Sequence, residues 1–248
     1  MTPFARALSV LCAFTAQDRW LCNGDLASRT GLPASTVTRM TRSLVTLGYL
    51  RCAPDARRFR LGPSALALGY RAAADTDIHR AAHQRMHVFA EQHQVHVHLS
   101  ARDRLGLVVI DSCSTSTLPA ALQPGVGTRL ELASTAAGWA LLASLPDAER
   151  NYLLHSAEHA LQEERRQLRR RSGEAIGQVR SEGFCVALGA SGHPMTMVAA
   201  PIHRPGAAPL AVSCMAPAMR MGRTRSVREL GPALVRMAQE IQRAGALP

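Results

Sequence analysis

The chain has 248 residues, of which 47% are hydrophobic and 19% charged, enough to bury one large core or two smaller ones. All 29 basic residues are arginine, and against 18 acidic residues they give a formal net charge of +11. Such a charge favours polyanionic partners, either nucleic acid or an acidic membrane surface. Apolar runs stay well below the roughly 18 residues of a membrane span. The six cysteines form no CxxC pair, which favours reduced thiols in a cytoplasmic protein.

The charge is unevenly distributed along the chain. Residues 1–62 contain nine Arg and three Asp, a net charge of +6, so a quarter of the length carries more than half of the excess. This asymmetry predicts two modules, of which the small N-terminal one faces the polyanion.

The N-terminal module has the pattern of a helix-turn-helix. Apolar residues from Phe4 to Phe14 recur at helical spacing and predict a first helix. Asn23 is a suitable N-cap for a short second helix that ends at Gly31, and Pro33 is suited to open a third helix that extends to Leu47. Two helices joined by a short turn containing glycine are typical of this DNA-binding motif.

The third helix is predicted to have two faces. On a helical wheel its apolar residues Val37, Met40, Leu44 and Leu47 share one arc. The opposite arc is cationic and hydroxyl-bearing, without a carboxylate, and consists of Ser35, Thr38, Arg39, Arg42 and Thr46. Arg can bond both edge acceptors of guanine, and Ser or Thr can bond bases or phosphates. We therefore interpret this helix as the recognition helix.

A winged hairpin is predicted to follow. Tyr49–Cys52 and Phe59–Leu61 are suited to two short strands, and Pro54-Asp55 between them marks a turn. Arg57 and Arg58 then lie near the tip, where basic residues contact phosphates and supply affinity more than sequence choice.

The remaining chain mixes helices and strands as an α/β sensor domain does. Helices are predicted at 79–93, at 134–145, twice between 147 and 182, and at 226–243; strands at 95–100, 105–111, 198–203 and 210–215. Residues 204–206 suit the turn between the last two strands. We find neither a Walker loop nor a dinucleotide fingerprint, so no cofactor is predicted.

These residues resemble the IclR family of bacterial transcriptional regulators. The likeness extends in order over nearly the whole chain and is carried by residues 7–11, 25–39, 47–50, 59–62, 127–130, 135–143, 182–184, 199–201 and 211–217. It implies an α+β protein with a winged helix-turn-helix domain over 1–62, a linker helix over 63–78 and a GAF-like α/β effector-binding domain over 79–248. It also implies a cytoplasmic repressor or activator, not an enzyme, that binds a two-fold symmetric DNA operator as a homodimer or dimer of dimers (homotetramer). The predicted DNA contacts are Ser35, Thr36, Thr38, Arg39, Arg42, Arg57 and Arg58.

The resemblance also implies an effector pocket between the sheet and the Thr135-containing segment. Carried over position by position, its residues are Leu130, Ala136, Ala137, Ala187, Met197, Ser213 and Met215. This set is more apolar than in relatives that bind short oxo acids, and Met adapts to irregular ligands. It favours a larger or aromatic organic acid. The acid group could be held by the N–H groups of Ala136 and Ala137, by Ser213 or by Arg129.

Two other functions remain open at this point. Histidines at 79, 83, 87, 93, 96 and 98 form a rich stretch, and a zinc-dependent enzyme built on such segments is one alternative. A surface or interface stripe is the preferred interpretation, so no metal is predicted. The string H-x-x-E-H at 155–159 is read as a solvated helix face. The other alternative is a DNA-binding protein that responds to no ligand.

Overall fold

The computed structural model describes residues 2–15, 18–55, 57–74, 77–115, 123–160, 165–189, 194–204 and 206–245. The chain divides into two compact units, residues 1–76 and 77–248. The segment predicted as a linker, 63–78, is helical over Pro63–Ala74 within the first unit, and Asp77 and Ile78 already belong to the first helix of the second unit. Residues 75 and 76 lie outside the described residues.

The first unit is a helix-turn-helix with a wing, as predicted. A three-stranded antiparallel sheet has the order β1 (Leu21–Cys22), β3 (Arg58–Leu61), β2 (Leu50–Cys52). Val10, Leu26, Val37, Leu44 and Phe59 are among the side chains of the core. In chain order the elements are α1 (Pro3–Cys12), β1 (Leu21–Cys22), α2 (Asn23–Thr30), α3 (Ala34–Thr46), β2 (Leu50–Cys52), β3 (Arg58–Leu61) and α4 (Pro63–Ala74).

Three local predictions for this unit were wrong in detail. The N-cap of α2 is Cys22, whose Sγ accepts from the Asp25 N–H at 3.4 Å, while the Asp25 carboxylate accepts from the Cys22 N–H at 2.8 Å. Pro33 is the N-cap of α3 rather than its first residue. Leu47, assigned to the buried arc, is 64% exposed because α3 ends at Thr46 and the chain turns away there.

A two-point ion pair joins the loop after α1 to the last turn of α2. The Arg29 guanidinium donates to both Asp18 carboxylate oxygens, at 2.5 and 2.9 Å, and to the Ala13 carbonyl at 2.9 Å. Hydrogen bonding from Arg29 is the largest cause that holds the pKa of Asp18 well below its usual range; burial opposes it, and Thr15 adds to it. The charged pair therefore stabilises the loop.

We expect Asp18→Asn to lower the melting temperature at pH 7 and to flatten the acid limb of the stability curve. A carboxylate whose pKa is lowered on folding stabilises the protein above its unfolded pKa of about 4, and this stabilisation is lost as pH falls further. Thermal unfolding between pH 7 and pH 2 measures both effects. Asp55→Asn is the control, since Asp55 pairs with Arg58 where both side chains are more exposed, and its effect should be smaller. Equal pH profiles for wild type and Asp18→Asn would contradict this role.

The second unit is built on a six-stranded antiparallel sheet of order β6 (Arg129–Glu131), β5 (Gly106–Cys113), β4 (His96–Asp103), β9 (Leu210–Pro217), β8 (Met195–Ile202), β7 (Cys185–Ala187). Its elements are α5 (Asp77–His93), β4 (His96–Asp103), β5 (Gly106–Cys113), β6 (Arg129–Glu131), α6 (Ala136–Ala143), α7 (Asp147–Ala160), α8 (Arg165–Glu182), β7 (Cys185–Ala187), β8 (Met195–Ile202), β9 (Leu210–Pro217), α9 (Arg223–Arg225) and α10 (Gly231–Ala244). A π-helical turn, Ser226–Leu230, joins α9 to α10, so the predicted final helix over 226–243 begins as a π-helical turn and continues as α10.

Helices cover both faces of this sheet. On one face α5 and α10 bury a large core with Val97, Leu99 and Val212. On the other face α6 lies on β8 and β9, and α8 packs against α6, around Leu107 and Ala199. The sheet thus separates two packed layers, and alternate residues of each strand face different layers. The apolar α6 sits directly over the face on which an effector pocket is predicted.

Candidate DNA-binding surface and effector site

The exposed face of α3 carries most of the predicted DNA contacts. Ser35, Thr38, Arg39, Arg42 and Thr46 are all exposed, because Val37, Met40 and Leu44 anchor the opposite side in the core. Thr36 was also predicted as a contact, but its side chain is buried at 9% exposure. Thr36 lies on the core side of the helix, next to Val37, and we leave it out of the surface.

Asn23, which sequence reasoning treated as a cap, instead links the two helices of the motif. Its amide Nδ2 donates to the Thr38 hydroxyl at 3.2 Å, and its Oδ1 accepts from the Thr41 hydroxyl at 3.4 Å. The Thr38 hydroxyl donates to the Ala34 carbonyl at 2.9 Å. These bonds fix the orientation of α3 relative to α2 and restrain Thr38. Its position at the start of α2 gave no signal for this role.

The positive charge on α3 has no internal counter-charge. Among the described residues, neither the Arg39 nor the Arg42 guanidinium has a hydrogen-bond or ion-pair partner. The three acids of residues 1–62 are engaged elsewhere: Asp18 with Arg29, Asp25 with the Cys22 N–H, and Asp55 with the wing. A cationic face without internal neutralisation is the electrostatic arrangement that attracts phosphate.

The wing adds further arginines. Arg57 and Arg58 are exposed as predicted, and the Arg58 guanidinium pairs with Asp55 at 3.2 Å. Sequence reasoning missed Arg51 and Arg60, which lie directly opposite each other on β2 and β3 and are both exposed. The Arg60 guanidinium lies 4.9 Å from the centre of the Trp20 ring. Alternation with the buried Phe59 is the signal that could have revealed this pair.

The predicted effector residues are gathered between α6 and the sheet. Leu130, Ala136, Ala137, Ala187 and Met197 belong to or border the core cluster around α6. Strand register places Ala187 opposite Met197, and Met197 opposite Met215. Opposed residues of neighbouring strands point to the same side, so the two methionines and Ala187 form one row. Ser213, fully buried, lies in the next row, opposite Ala199.

Three polar residues on β4 complete this face and were missed. His96, His98 and Ser100 are each at most 1% exposed, and they alternate with Val97 and Leu99 of the opposite core. His98 Nε2 lies 3.0 Å from the Ser213 hydroxyl, and His96 Nε2 lies 3.3 Å from the Pro124 carbonyl. The polar–apolar alternation of a strand was present in the sequence, but it was read as part of a histidine-rich stretch.

These side chains offer unused hydrogen-bonding capacity. Within the part of the chain that the structure describes, Nδ1 of His96, Nδ1 of His98 and the Ser100 hydroxyl are buried without a partner. Burial lowers the pKa of His98 to about 3, with a smaller contribution from His96. Burial also lowers the pKa of His96, opposed by the Pro124 carbonyl. Both imidazoles are therefore neutral near pH 7, and each can donate from one nitrogen and accept at the other.

The N-terminus of α6 lies on the same side of the sheet, where the Cys185 thiol donates to the Ala136 carbonyl at 3.4 Å. Thr135 caps it: its hydroxyl accepts from the Gly138 N–H at 3.2 Å and donates to the Glu131 carbonyl at 2.6 Å. Ala136 and Ala137 occupy the first two helical positions, where backbone N–H groups have no carbonyl within the helix. Arg129, the other predicted partner of an acid, is 63% exposed and pairs with Asp103 at 2.6 Å. Its charge is thus already engaged at the surface.

Comparison with known proteins decides the family. The description "IclR helix-turn-helix domain" matches residues 4–54, and "Bacterial transcriptional regulator IclR C-terminal" matches residues 70–243. The chain belongs to the IclR family. Members are DNA-binding, effector-responsive transcriptional regulators and not enzymes.

Individual IclR proteins are similar along almost the full chain. The transcriptional regulator TsaQ1/TsaQ2 of Comamonas testosteroni is 29% identical over 240 residues, covering 96% of this chain and 86% of its own. A solved IclR regulator from Brucella abortus is 31% identical, with a TM-score of 0.78, covering 98% and 92%. An IclR homolog from Microbacterium hydrocarbonoxydans, solved with 4-hydroxybenzoate, shares the fold at 20% identity, with a TM-score of 0.74 and 98% coverage of both chains.

Two further predictions can be compared with the structure only over the described residues. None of the described helices is long and apolar enough to cross a membrane. The string at 155–159 lies on α7, but the side chains of residues 157–160 are outside the described residues.

Proposed function

We propose that this IclR-family chain binds a two-fold symmetric operator as a homodimer or dimer of dimers, and that an aromatic organic acid controls this binding. Ser35, Thr38, Arg39 and Arg42 would contact the major groove, with Arg57 and Arg58 of the wing on the phosphates. The effector would bind between α6 and the sheet. The observation that carries the effector half is the set of buried, unpartnered polar atoms on His96, His98 and Ser100.

Unpartnered buried polar groups are costly, about 1–3 kcal/mol each, so a native protein retains them where something else satisfies them. Here they share a sheet face with Met197 and Met215, which supply apolar contact. A planar ligand with polar groups at both ends fits this combination. Its ring would lie against the methionines, and a hydroxyl or carbonyl would bond His98 and Ser100.

The acid group would bond the N–H groups of Ala136 and Ala137, where the positive end of the α6 dipole favours a carboxylate. The Microbacterium homolog, which holds 4-hydroxybenzoate, supports testing hydroxylated aromatic acids first. A two- or three-carbon oxo acid carries no ring that could pack against both methionines.

A thermal-shift screen of the purified protein tests this assignment. Hydroxybenzoates and related aromatic acids should raise the melting temperature, and short oxo acids should not. A ligand at about 100 times its Kd that binds only the folded state adds roughly 2.7 kcal/mol. A shift with short oxo acids alone would overturn the aromatic assignment. No shift with any acid would favour the ligand-independent DNA-binding protein.

Ser100→Ala gives the sharpest variant. Removing an unpartnered buried hydroxyl should raise the stability of the ligand-free protein by about 1 kcal/mol. It should also lower the affinity for the aromatic acid about tenfold. Ser181→Ala on the exposed surface of α8 is the control and should change neither. Calorimetry and thermal unfolding measure the two effects. A Ser100→Ala protein that binds the acid as tightly as wild type would remove this hydroxyl from the site.

Control of DNA binding by the acid is a thermodynamic coupling between two binding sites, and two affinity measurements test it. If the acid changes operator affinity by some factor, operator DNA must change affinity for the acid by the same factor. Fluorescence anisotropy with labelled operator, with and without the acid, gives the first factor, and calorimetry on the DNA complex gives the second. An acid that binds but leaves operator affinity unchanged would be a ligand without a regulatory role.

A further inference from the structure

A second group of ligand-forming side chains lies on the opposite face of the sheet from the effector site. His83 Nδ1 lies 3.0 and 3.1 Å from the two Asp111 carboxylate oxygens, and Cys113 Sγ lies 3.7 Å from the same nitrogen. His79 Nε2 lies 4.0 Å from Asp111 Oδ2. Leu99 and Val97, which pair with Asp111 and Cys113, belong to the core beneath α5. His83, Asp111 and Cys113 therefore meet at the contact between α5 and β5, with their ligand atoms within 4.8 Å of one another, and His79 lies beside Asp111.

The two elements bring these residues together by their own periodicity. His79 and His83 are four residues apart on α5, which places them on one face of the helix, one turn apart. Asp111 and Cys113 are two residues apart on β5, which places them on one side of the sheet. Each element thus contributes two potential ligands, and the packing of α5 on β5 places the two pairs next to each other.

The separations fit the coordination shell of zinc. Zinc bonds of about 2.0–2.1 Å to nitrogen or oxygen and about 2.3 Å to sulfur, at tetrahedral angles, put ligand atoms about 3.3 Å apart, or about 3.6 Å where one is sulfur. The distances here, 3.0 and 3.1 Å for nitrogen to oxygen and 3.7 Å for sulfur to nitrogen, bracket these values. His79 Nε2 lies farther out, 4.0 Å from Asp111 Oδ2, so His79 would have to move closer to the other three side chains to complete the shell.

The environment also calls for a cation. Asp111 is 5% exposed; its carboxylate lies 3.0 Å from His83 Nδ1 and accepts from the Ser112 N–H at 2.7 Å. A buried carboxylate is costly without a positive partner. The His83 side chain is about half exposed, which leaves a path from solvent for an ion.

We propose that His79, His83, Asp111 and Cys113 bind one Zn²⁺ per chain. A set containing thiolate, two imidazoles and a carboxylate suits zinc better than magnesium or calcium, which take oxygen ligands only. Four protein ligands fill a tetrahedral shell and leave no open position for substrate, so the site is structural and not hydrolytic. It would fasten α5, the first element of the second unit, to the sheet. This inference does not depend on the identity of the effector.

Metal stoichiometry and a cobalt spectrum test the site directly. The full-length protein is treated with a chelator, reloaded with Zn²⁺ or Co²⁺ and desalted. We expect one zinc per chain by mass spectrometry. The Co²⁺ protein should show intense tetrahedral d–d bands and a thiolate-to-cobalt charge-transfer band. Zinc should also raise the melting temperature of the chelator-treated protein.

Variants assign the ligands. Loss of a residue that only supports a metal ligand already lowers metal affinity by about 10- to 100-fold. Because Cys113 and His83 are proposed as direct ligands, Cys113→Ser and His83→Gln should each lower the affinity for zinc by more than about 100-fold. Cys113→Ser should also abolish the charge-transfer band. His87→Gln, an exposed histidine one turn further along α5, is the matched control and should bind as wild type does.

Several results would overturn the proposal: no zinc retained by the wild-type protein, a cobalt spectrum without a thiolate band, or unchanged affinity in Cys113→Ser. In each case the group is an ordinary ion pair between His83 and Asp111. If the variants fail to fold, the wild-type cobalt spectrum alone decides, because it reports sulfur ligation without any substitution.

Discussion

Replacing Arg39 by Ala is expected to weaken operator binding by about 5- to 150-fold, a loss of roughly 1–3 kcal/mol, and to relax the choice of base at one position of each half-site. The guanidinium is exposed on α3 and has no partner among the described residues. It is therefore free to form two hydrogen bonds to a guanine edge. Binding measured on the operator and on variants with one base pair changed gives both the loss and its sequence dependence.

Two further variants separate base reading from phosphate attraction. Arg57→Ala, on the wing, should weaken all DNA sequences alike and lower the salt dependence of binding by about one phosphate contact. Arg243→Ala removes the same charge from the exposed end of α10 and should leave DNA binding unchanged. If Arg39→Ala weakens every sequence equally, Arg39 contacts the backbone and the base-reading role belongs to another residue of α3.

Local signals predicted the first unit well. Helical periodicity and glycine stops sufficed for α2 and α3, because those signals operate within a few residues of the chain. The features of this unit that were not predicted depend on contacts between residues that are far apart in the sequence. Strand β1 is two residues long and exists only because it pairs with β3 across more than thirty residues of chain. Asn23 was read as a cap, whereas its side chain bonds Thr38 and Thr41 of the next helix.

In the second unit the positions of the histidines likewise could not be predicted from neighbouring residues in the sequence. The sequence presents six of them as one stretch, but the fold divides them between two faces of a sheet. His79 and His83 lie on α5 beside Asp111, while His96 and His98 lie on β4 and face α6. The predicted pocket, carried over from a resemblance, included Ser213 but not its partner His98. Partners on separate strands follow from register, and register is set by tertiary packing.

Replacing Gly138 by Ala is expected to lower the free energy of unfolding of the second unit by at least about 3 kcal/mol, the upper end of what overpacking costs. A Cβ at this position would lie 2.0 Å from the Leu132 carbonyl oxygen and 2.6 Å from its carbon. These are backbone atoms, so no rotamer change relieves the clash. The Trp139 indole N–H, which donates to the Ala133 carbonyl at 2.7 Å, holds the same two segments together.

Gly177→Ala is the matched control. Gly177 is exposed within α8, nothing lies within 4 Å of a Cβ added there, and alanine should stabilise the helix by up to about 1 kcal/mol. Urea unfolding of both variants should therefore give effects of opposite sign. Aromatic acids should also no longer raise the melting temperature of the Gly138→Ala protein, because the substitution displaces Ala136 and Ala137 from the sheet. A Gly138→Ala protein as stable as wild type would show that α6 does not approach Leu132 this closely, and the N–H groups assigned to the acid would then lose the position that the effector proposal requires.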